Sequence, residues 1–290
     1  MAKIGFIGLG IMGSRMAANL QKNGVDLVIY NRTASKAETL LENGAAWANS
    51  PAELAGRVTV LFTMLSTPEA VRETALGLGG FLQHLAPGSL WADCSTVNPS
   101  FVREMAAAAE ERGIRYVDAP VAGSKNPAET GQLVIYAGGD EADVAELQPY
   151  LAMVGRQTIH AGGHASGAAL KMVNNLLFGA AMAVFAEGIA LGQALGLSQE
   201  LLFNTLISGP AVPAIVNGKR AKLEKGDYSP EFPMQWLQKD LHLAAVSAYE
   251  VHQPLPVVNA AKELYALAMR EGLAEADFSA IYAFLNRAQS

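Results

Sequence analysis

Residues 3–13 read KIGFIGLGIMG and lead from a short apolar strand into a helix through three glycines. Gly8, Gly10 and Gly13 have the spacing G-x-G-x-x-G, and an apolar helical pattern follows over residues 16–20. Between strand and helix, the first glycine allows a tight turn and the second lets the backbone approach a pyrophosphate. The third lets the helix pack closely on the strand, and the helix N-terminus offers N–H groups to phosphates. The stretch therefore predicts a dinucleotide-binding turn made of Gly8, Leu9, Gly10, Ile11, Met12 and Gly13.

Outward from this turn, residues 1–163 alternate between short β-rich runs and amphipathic helical runs. Alternation of this kind predicts an α/β fold with a mostly parallel sheet covered by helices on both faces. It is typical of a Rossmann-type doubly wound sheet. The predicted strands are Lys3–Gly8, Leu27–Asn31, Val58–Leu65, Ser89–Asp93, Arg115–Val121, Gln132–Ala137 and Thr158–Ala161. The predicted helices include Pro51–Ala55, Pro68–Leu76 and, later in the chain, Pro213–Lys225.

The β signal stops after Gly163. One long helical pattern runs from about residue 166 to 195, and shorter helical runs punctuated by glycine and proline follow it. We therefore expect two domains: a dinucleotide-binding domain over residues 1–163, and an all-α substrate and oligomerisation domain over 164–290. The second domain begins with the long interdomain helix.

The turn after the second predicted strand indicates which dinucleotide is bound. An NAD site usually has a carboxylate about 20 residues beyond the glycines, where it binds the ribose 2′-hydroxyl. This chain has Asn31, Arg32 and Thr33 there, with Lys36 close behind. A guanidinium can bind a 2′-phosphate through two parallel hydrogen bonds, whereas a carboxylate would repel it. The turn therefore predicts NADP(H) as the cofactor; a solvated basic surface turn is the alternative.

Composition excludes several classes of protein. The 290 residues carry 21 Lys plus Arg against 27 Asp plus Glu, a net charge of −6, which argues against a nucleic-acid binder. Cys94 is the one cysteine and the N-terminus has no secretory pattern, so we expect a cytoplasmic protein.

The apolar run Leu176–Ala186 is too short to cross a bilayer. The helix at 170–195 is too apolar to face water all round, so it must be covered by its own domain or by a second subunit, and a homo-oligomer, dimer or tetramer, is expected.

The start of the long helix holds a candidate catalytic pair. Lys171 and Asn175 are four residues apart and therefore share one helix face. The helix dipole disfavours a cation near the N-terminus, which would suit a proton donor working near neutral pH. A lysine that extends to solvent from a helix end is the alternative interpretation.

Taken together, several ordered motifs resemble the β-hydroxyacid dehydrogenase family, which includes 3-hydroxyisobutyrate, tartronate-semialdehyde and glyoxylate/succinic-semialdehyde enzymes. The resemblance covers essentially the whole chain. Its motifs are GLGIMGSRMAANL at 8–20, DCST at 93–96, DAPVAGS at 118–124, GHASGAALKMVNN at 163–175 and QKDLHLA at 238–244.

The resemblance implies roles for individual residues. Lys171 would donate a proton to the substrate oxygen as hydride arrives, and Asn175 would position that oxygen. Further cofactor contacts are implied for Met64, Leu65, Thr96 and Lys239. Contacts to a small aldehyde or hydroxy acid are implied for Ser95, Thr96, Ala122, Gly123, Ser124, Lys171, Asn175, Phe232 and Asp240.

Within the family, the stretch 123–133 looks most like the glyoxylate/succinic-semialdehyde reductases. The implied reaction is NADPH-dependent reduction of glyoxylate to glycolate and of succinic semialdehyde to 4-hydroxybutyrate. One departure is Ala122, where the family commonly has serine, so a hydroxyl contact to the substrate carboxylate would be missing.

Three other functions remain open on the sequence: a 3-hydroxy acid dehydrogenase, an imine reductase and a non-catalytic dinucleotide-binding module. The imine reductases generally replace the lysine that is present here as Lys171. No metal site is expected, because Gly162 and Gly163 interrupt the helix that His160 and His164 would need. We interpret Asp118, before Ala-Pro at a strand end, as a residue that shapes a loop.

Overall fold

A computed structural model describes residues 3–286, which form two compact units. The first unit ends at Lys171 and the second begins at Met172. Residues 1–2 and 287–290, the outer ends of the two predicted domains, lie outside the described residues.

The first unit is built on a nine-stranded sheet. Its strands are β1 (Ile4–Ile7), β2 (Leu27–Tyr30), β3 (Ala46–Trp47), β4 (Val60–Thr63), β5 (Leu90–Asp93), β6 (Arg115–Asp118), β7 (Val121–Ala122), β8 (Leu133–Gly138) and β9 (Gly155–Gly162). The order across the sheet is β3-β2-β1-β4-β5-β6-β8-β7, and β9 pairs with β8. The pairings from β3 to β6 are parallel, and β8 runs antiparallel to β6 and β7. The prediction of a mostly parallel sheet is therefore confirmed.

Helices cover both faces of this sheet. They are α1 (Gly13–Lys22), α2 (Glu38–Glu42), α3 (Pro51–Ala55), α4 (Pro68–Leu76), α5 (Pro99–Glu110), α6 (Lys125–Glu129) and α7 (Glu141–Val154). Side chains alternate between two buried cores, as strand geometry requires. Phe6 and Phe62 belong to one core, whereas Ile7, Leu61 and Trp91 belong to the other. The doubly wound α/β class predicted from the sequence is confirmed.

One predicted strand, Arg115–Val121, is wrong as a single element. The structure ends β6 at Asp118 and begins β7 at Val121. Pro120 lies between them, and proline cannot donate the N–H that a continuous ladder needs. β6 and β7 both pair antiparallel with β8 in one register, Asp118 opposite Gly138 and Val121 opposite Ile135, so the ladder is interrupted at Pro120 and resumes beyond it.

The second unit is helical. The long helix α8 (Ser166–Ala194) enters it, and α9 (Gln199–Leu202), α10 (Ala214–Asn217), α11 (Arg220–Lys225), α12 (Met234–Glu250), α13 (Pro256–Ala268) and α14 (Ile281–Leu285) follow. A single helix over Pro213–Lys225 was the expectation from the sequence, and it is wrong. Lys219 stands at the break, where its buried ammonium donates to Glu231 Oε2 (2.7 Å) and Asp277 Oδ2 (3.0 Å).

The first turn of α8 belongs to the first unit, because Ala165 and Ala168 are part of one of its cores. The sheet itself ends at Gly162, close to the predicted domain boundary, and the compact units divide further along, at Lys171.

The length of helix α8 overturns the expectation that its apolar run is too short to cross a bilayer. Its 29 residues are long and apolar enough to cross a bilayer, so the shortness of Leu176–Ala186 excludes nothing. The same length and composition are found in core helices of soluble proteins. Within the second unit, Gly179 of α8 lies against Leu237 and Leu241, and its carbonyl accepts from Tyr265 Oη at 3.0 Å.

Candidate active site

The glycine turn lies between β1 and α1. Gly8 has a φ of +99°, and a Cβ there would stand 2.3 Å from the Met64 carbonyl oxygen. A Cβ on Gly13 would stand 1.9 Å from the carbonyl oxygen of Gly8. Within the described chain, nothing lies within 4 Å of a Cβ built on Gly10. The fold itself thus requires Gly8 and Gly13, while Gly10 faces open space that suits the close approach of a pyrophosphate.

The start of α1 also suits an anion. No side chain of the described residues caps this helix, and its first turn has no acidic residue. Ser14 Oγ donates to Gly10 O (2.8 Å), and Arg15 Nη1 donates to Ile11 O (2.7 Å). Ser14 N and Arg15 N donate to the carbonyl oxygens of Gly10 and Met12. The N–H groups of Ile11 to Gly13, in the turn ahead of them, are therefore the ones that suit a ligand such as a phosphate.

The turn after β2 is joined to the glycine turn by Asn31. Its Oδ1 accepts from Leu9 N (2.9 Å) and its Nδ2 donates to Thr33 O (2.8 Å). Arg32, Thr33 and Lys36 are exposed. Within residues 3–286 the Arg32 guanidinium has no hydrogen bond or ion pair. Asn31 therefore shapes the turn, and Arg32 is available to bind an anion.

The ends of β4 and β5 are tied together beside the glycine turn. Asp93 Oδ1 accepts from Thr63 Oγ1 (2.8 Å) and from Ser95 N (3.0 Å), and Leu65 N donates to Ser95 Oγ at 2.9 Å. Burial raises the pKa of Asp93, and the bonds from Ser95 and Thr63 oppose that shift. Ser95, predicted to contact substrate, is itself buried, whereas Thr96 is half-buried. The sequence motif had not indicated that the Ser95 hydroxyl joins two strand ends.

The predicted acid-binding loop, Ala122 to Ser124, leads from β7 into α6. Gly123 has a φ of +120°, and a Cβ there would stand 2.9 Å from Leu133 Cδ2. Two contacts join α1 to α6: Asn19 Nδ2 donates to Ala128 O (2.7 Å), and Arg15 Nε lies 3.5 Å from Glu129 Oε2. The loop and the glycine turn are therefore parts of one connected structure in the first unit. No pattern in the sequence had predicted helix α6.

Lys171 lies in the second turn of α8 and is buried, with 7% of its surface exposed. The first turn of that helix is bound by the Asp118 carboxylate, which accepts from Ala165 N (2.9 Å) and Ala168 N (2.8 Å). Burial raises the pKa of Asp118 to about 6, against the opposing effect of these two bonds and of His164. Asp118 therefore does more than shape a loop. No local sequence signal shows this, because its partners lie 47 and 50 residues away.

The second unit holds the remaining predicted residues. Asn175 Nδ2 donates to Asp240 Oδ2 at 2.7 Å, and the ammonium of Lys239 lies 2.9 Å from Asp240 Oδ1. Phe232 packs against Phe178, with ring centroids 5.9 Å apart. Asn175 and Asp240 are both buried. The structure thus places the amide of Asn175 and the ammonium of Lys239 against the carboxylate of Asp240.

His160 and His164 make structural contacts. His160 lies on β9, where its Nε2 is 2.9 Å from Gly139 O, and His164 lies edge-on to Tyr116 with ring centroids 6.0 Å apart. Among residues 3–286, no group of three or more His, Cys, Asp or Glu side chains is placed to hold a metal ion. Burial raises the pKa of the Cys94 thiol, which favours its unreactive protonated form.

Two family models match the chain. The model of the NAD binding domain of 6-phosphogluconate dehydrogenase matches residues 3–163. A second model, described as the NAD-binding domain of NADP-dependent 3-hydroxyisobutyrate dehydrogenase, matches residues 165–285.

Individual proteins are similar over nearly the whole chain. Glyoxylate/succinic semialdehyde reductase 1 of Arabidopsis thaliana is 38% identical over 279 residues, which is 96% of each chain. The cytokine-like nuclear factor N-PAC of Xenopus tropicalis is 34% identical over 97% of this chain and 52% of its own length. The solved structure of Mycobacterium tuberculosis 3-hydroxyisobutyrate dehydrogenase with L-serine has a TM-score of 0.89 at 30% identity, covering 99% of this chain and all of that one.

The glycine turn, the uncapped start of α1 and the buried lysine of α8 are the features that the sequence motifs had indicated. The two family models together cover both units, and the Arabidopsis reductase and the Mycobacterium tuberculosis dehydrogenase match almost end to end. The chain belongs to the β-hydroxyacid dehydrogenase family of NAD(P)-dependent oxidoreductases, which act on CH–OH groups.

Proposed function

We propose that this protein reduces small aldehyde acids with NADPH, converting glyoxylate to glycolate and succinic semialdehyde to 4-hydroxybutyrate. The observation that carries the proposal is the burial of Lys171, which belongs to the same compact unit as the open glycine turn. A buried lysine in an enzyme of this class supports a role in proton transfer. The similarity to the Arabidopsis reductase supports the choice of substrates.

The chemistry assigned to Lys171 is proton donation. A C–H bond forms at the aldehyde carbon, the C=O π bond opens, and the oxygen takes a proton from Nζ of Lys171. NADPH, when bound, supplies the hydride. The ammonium also stabilises the negative charge that grows on the oxygen before the proton moves. Solvent then returns a proton to Lys171.

Asn175 would position the substrate oxygen. The bond from its Nδ2 to Asp240 Oδ2 fixes the plane of the amide. A fixed amide can hold a small substrate in one orientation without further ordering at the moment of reaction. Asp240, flanked by Lys239, would thus contribute through Asn175.

Preference for NADPH is assigned to Arg32, which is exposed and has no partner within the described chain. Arg32→Asp should lower kcat/KM for NADPH and raise it for NADH, because the carboxylate would repel a 2′-phosphate and accept a bond from a 2′-hydroxyl. Arg103→Asp, at an exposed position on α5, is the matched control and should leave the ratio unchanged. An unchanged ratio in Arg32→Asp would show that Arg32 does not select the cofactor.

The substrate carboxylate is assigned to the backbone N–H groups of the 122–124 loop. Ala122 lacks the hydroxyl that the family commonly has there. Ala122→Ser should therefore lower KM for the aldehyde acid, with little change in KM for NADPH, because the hydroxyl adds one charge-assisted hydrogen bond. An unchanged KM for the acid would place the carboxylate elsewhere.

The central experiment follows NADPH oxidation with glyoxylate and with succinic semialdehyde in separate assays. Lys171→Ala should lose about 10²–10⁴-fold in kcat, the usual contribution of a general acid. Lys262→Ala, which removes a lysine of α13 paired with Glu263, is the control and should keep the wild-type rate. A wild-type rate in Lys171→Ala would remove the lysine from the mechanism.

Two rival functions are separated by the same assays. A 3-hydroxy acid dehydrogenase would show a higher kcat/KM for oxidation of 3-hydroxyisobutyrate with NADP⁺ than for aldehyde reduction. The second rival is a dinucleotide-binding module without catalysis, which we retain because this chain is also similar to the nuclear factor N-PAC. Tight NADPH binding with no turnover of any aldehyde acid would identify that module.

We also propose a cytoplasmic homo-oligomer, a dimer or tetramer, with no membrane or nucleic-acid partner. An apolar stripe on α8 supports the oligomer: Val173, Leu177, Val184 and Leu191 are 50–64% exposed. Their spacing of four and seven places them on one helix face. Leu177→Glu should shift sedimentation towards the monomer, whereas Leu267→Glu on α13 should not. Monomeric wild-type protein would refute the oligomer, and recovery only with membranes would refute the location.

A further inference from the structure

The N-terminus of α8 is held by a carboxylate from a distant part of the chain. Asp118, at the end of β6, accepts from Ala165 N with one oxygen and from Ala168 N with the other. The first N–H groups of a helix have no partner inside the helix, so an acceptor there stabilises the helix start. Asp118 is 1% exposed, so little water can substitute for it.

The space around this carboxylate is fitted closely. A Cβ on Gly138 would stand 2.6 Å from Asp118 Oδ1, and a Cβ on Gly167 would stand 2.9 Å from Asp118 Oδ2. Gly138 is also the residue opposite Asp118 in the β6–β8 pairing. Glycines on two sides therefore allow the carboxylate and the helix start to approach each other.

Lys171 follows Ala168 by three residues, which is about 4.5 Å along the helix axis. A helix turn is stiff, so any displacement of the helix start moves the lysine with it. Asp118 in turn is fixed to the sheet, because β6 pairs in parallel with β5, whose end leads to Ser95. All these residues belong to the first unit, together with the glycine turn.

We propose that Asp118 is a positioning residue for Lys171: it fixes the start of α8 to the carboxyl edge of the sheet and so sets where the ammonium group stands. The proposal rests on the function proposed above. Misplacing a reacting group by about 1 Å can lower the rate about 100-fold. Loss of the bonds made by Asp118 should therefore lower kcat and leave cofactor binding intact.

Two variants test this from opposite sides. Asp118→Asn keeps the shape of the side chain but presents an amide N–H where an acceptor is needed. Gly138→Ala keeps the carboxylate and pushes a methyl group against it. Both should lose about 10–100-fold in kcat, with the Kd for NADPH measured by fluorescence within about twofold of wild type. Ser198→Ala, which removes the side-chain cap of α9, is the control for loss of a helix cap and should keep kcat.

A double-mutant cycle separates positioning from general damage to the fold. If Asp118 acts through Lys171, then Asp118→Asn should have no further effect on the residual rate of Lys171→Ala. Additive losses in the double variant, or a wild-type kcat in both Asp118→Asn and Gly138→Ala, would overturn the proposal. A wild-type rate in Lys171→Ala alone would instead refute the proposed function, so the two failures are distinguishable.

Discussion

Asp118 should make the stability of this protein rise as the solution becomes more acidic. Burial raises the pKa of its carboxyl to about 6, from an ordinary value of 3.8. The folded protein therefore binds this proton more tightly than the unfolded chain does. The resulting stabilisation is fully present below pH 3.8 and is lost as the pH rises through about 6.

The size of the effect follows from these two pKa values. Between about pH 7.5 and about pH 4.5, the folded state should gain about 2 kcal/mol from protonation of Asp118. Asp118→Asn cannot titrate. The free energy of unfolding of the wild type, minus that of the variant, should therefore be about 2 kcal/mol larger at the lower pH.

The assay is urea unfolding at the two pH values, followed by tryptophan fluorescence, to which the buried Trp91 of the first unit contributes. Glu146→Gln is a control of opposite sign, because bonds from Arg115 lower the pKa of Glu146. The stabilisation given by Glu146 is present above its unfolded pKa and is lost as the pH falls. A wild-type advantage over Asp118→Asn that stays constant, or that shrinks at low pH, would refute the reasoning.

Four further substitutions have definite expected outcomes. Gly13→Ala places a Cβ 1.9 Å from a carbonyl oxygen and should lower Tm, whereas Gly10→Ala meets nothing within the described chain and should weaken only dinucleotide binding; equal Tm losses would contradict this. Lys219→Met leaves the buried carboxylate of Asp277 without its cation and should lower the free energy of unfolding by about 3 kcal/mol in urea. Tyr265→Phe removes a buried hydrogen bond to a carbonyl of α8 and should lower it by about 1 kcal/mol; no change in urea midpoint would show that the bond contributes nothing.

Much of the first unit could be predicted because its signals are local. Helices α3 and α4 begin at Pro51 and Pro68, each after a residue whose hydroxyl caps the helix, and the predicted bounds match. The glycine turn was also predictable, because the tight approaches of Gly8 and Gly13 occur within a few residues of one another or between neighbouring strands.

The parts that could not be predicted depend on distant partners. The two-residue strand β3 has no periodicity of its own and exists because β2 offers an edge. The break before α11 depends on Lys219 reaching Asp277, 58 residues further on. The cap on α8 and the bond made by the Ser95 hydroxyl likewise form only after folding has brought the strand ends together, so no local pattern predicts them.

The contacts of Asn19 and Arg15 with α6 restrict how substrate specificity can be altered in this scaffold. The segment that begins at Ser124 is anchored to the same helix whose first turn we propose to bind the dinucleotide. A loop transplanted from a relative would lack its contacts with α1 unless residues 15 and 19 were exchanged with it. A change of substrate specificity should therefore exchange the loop together with the neighbouring surface of α1.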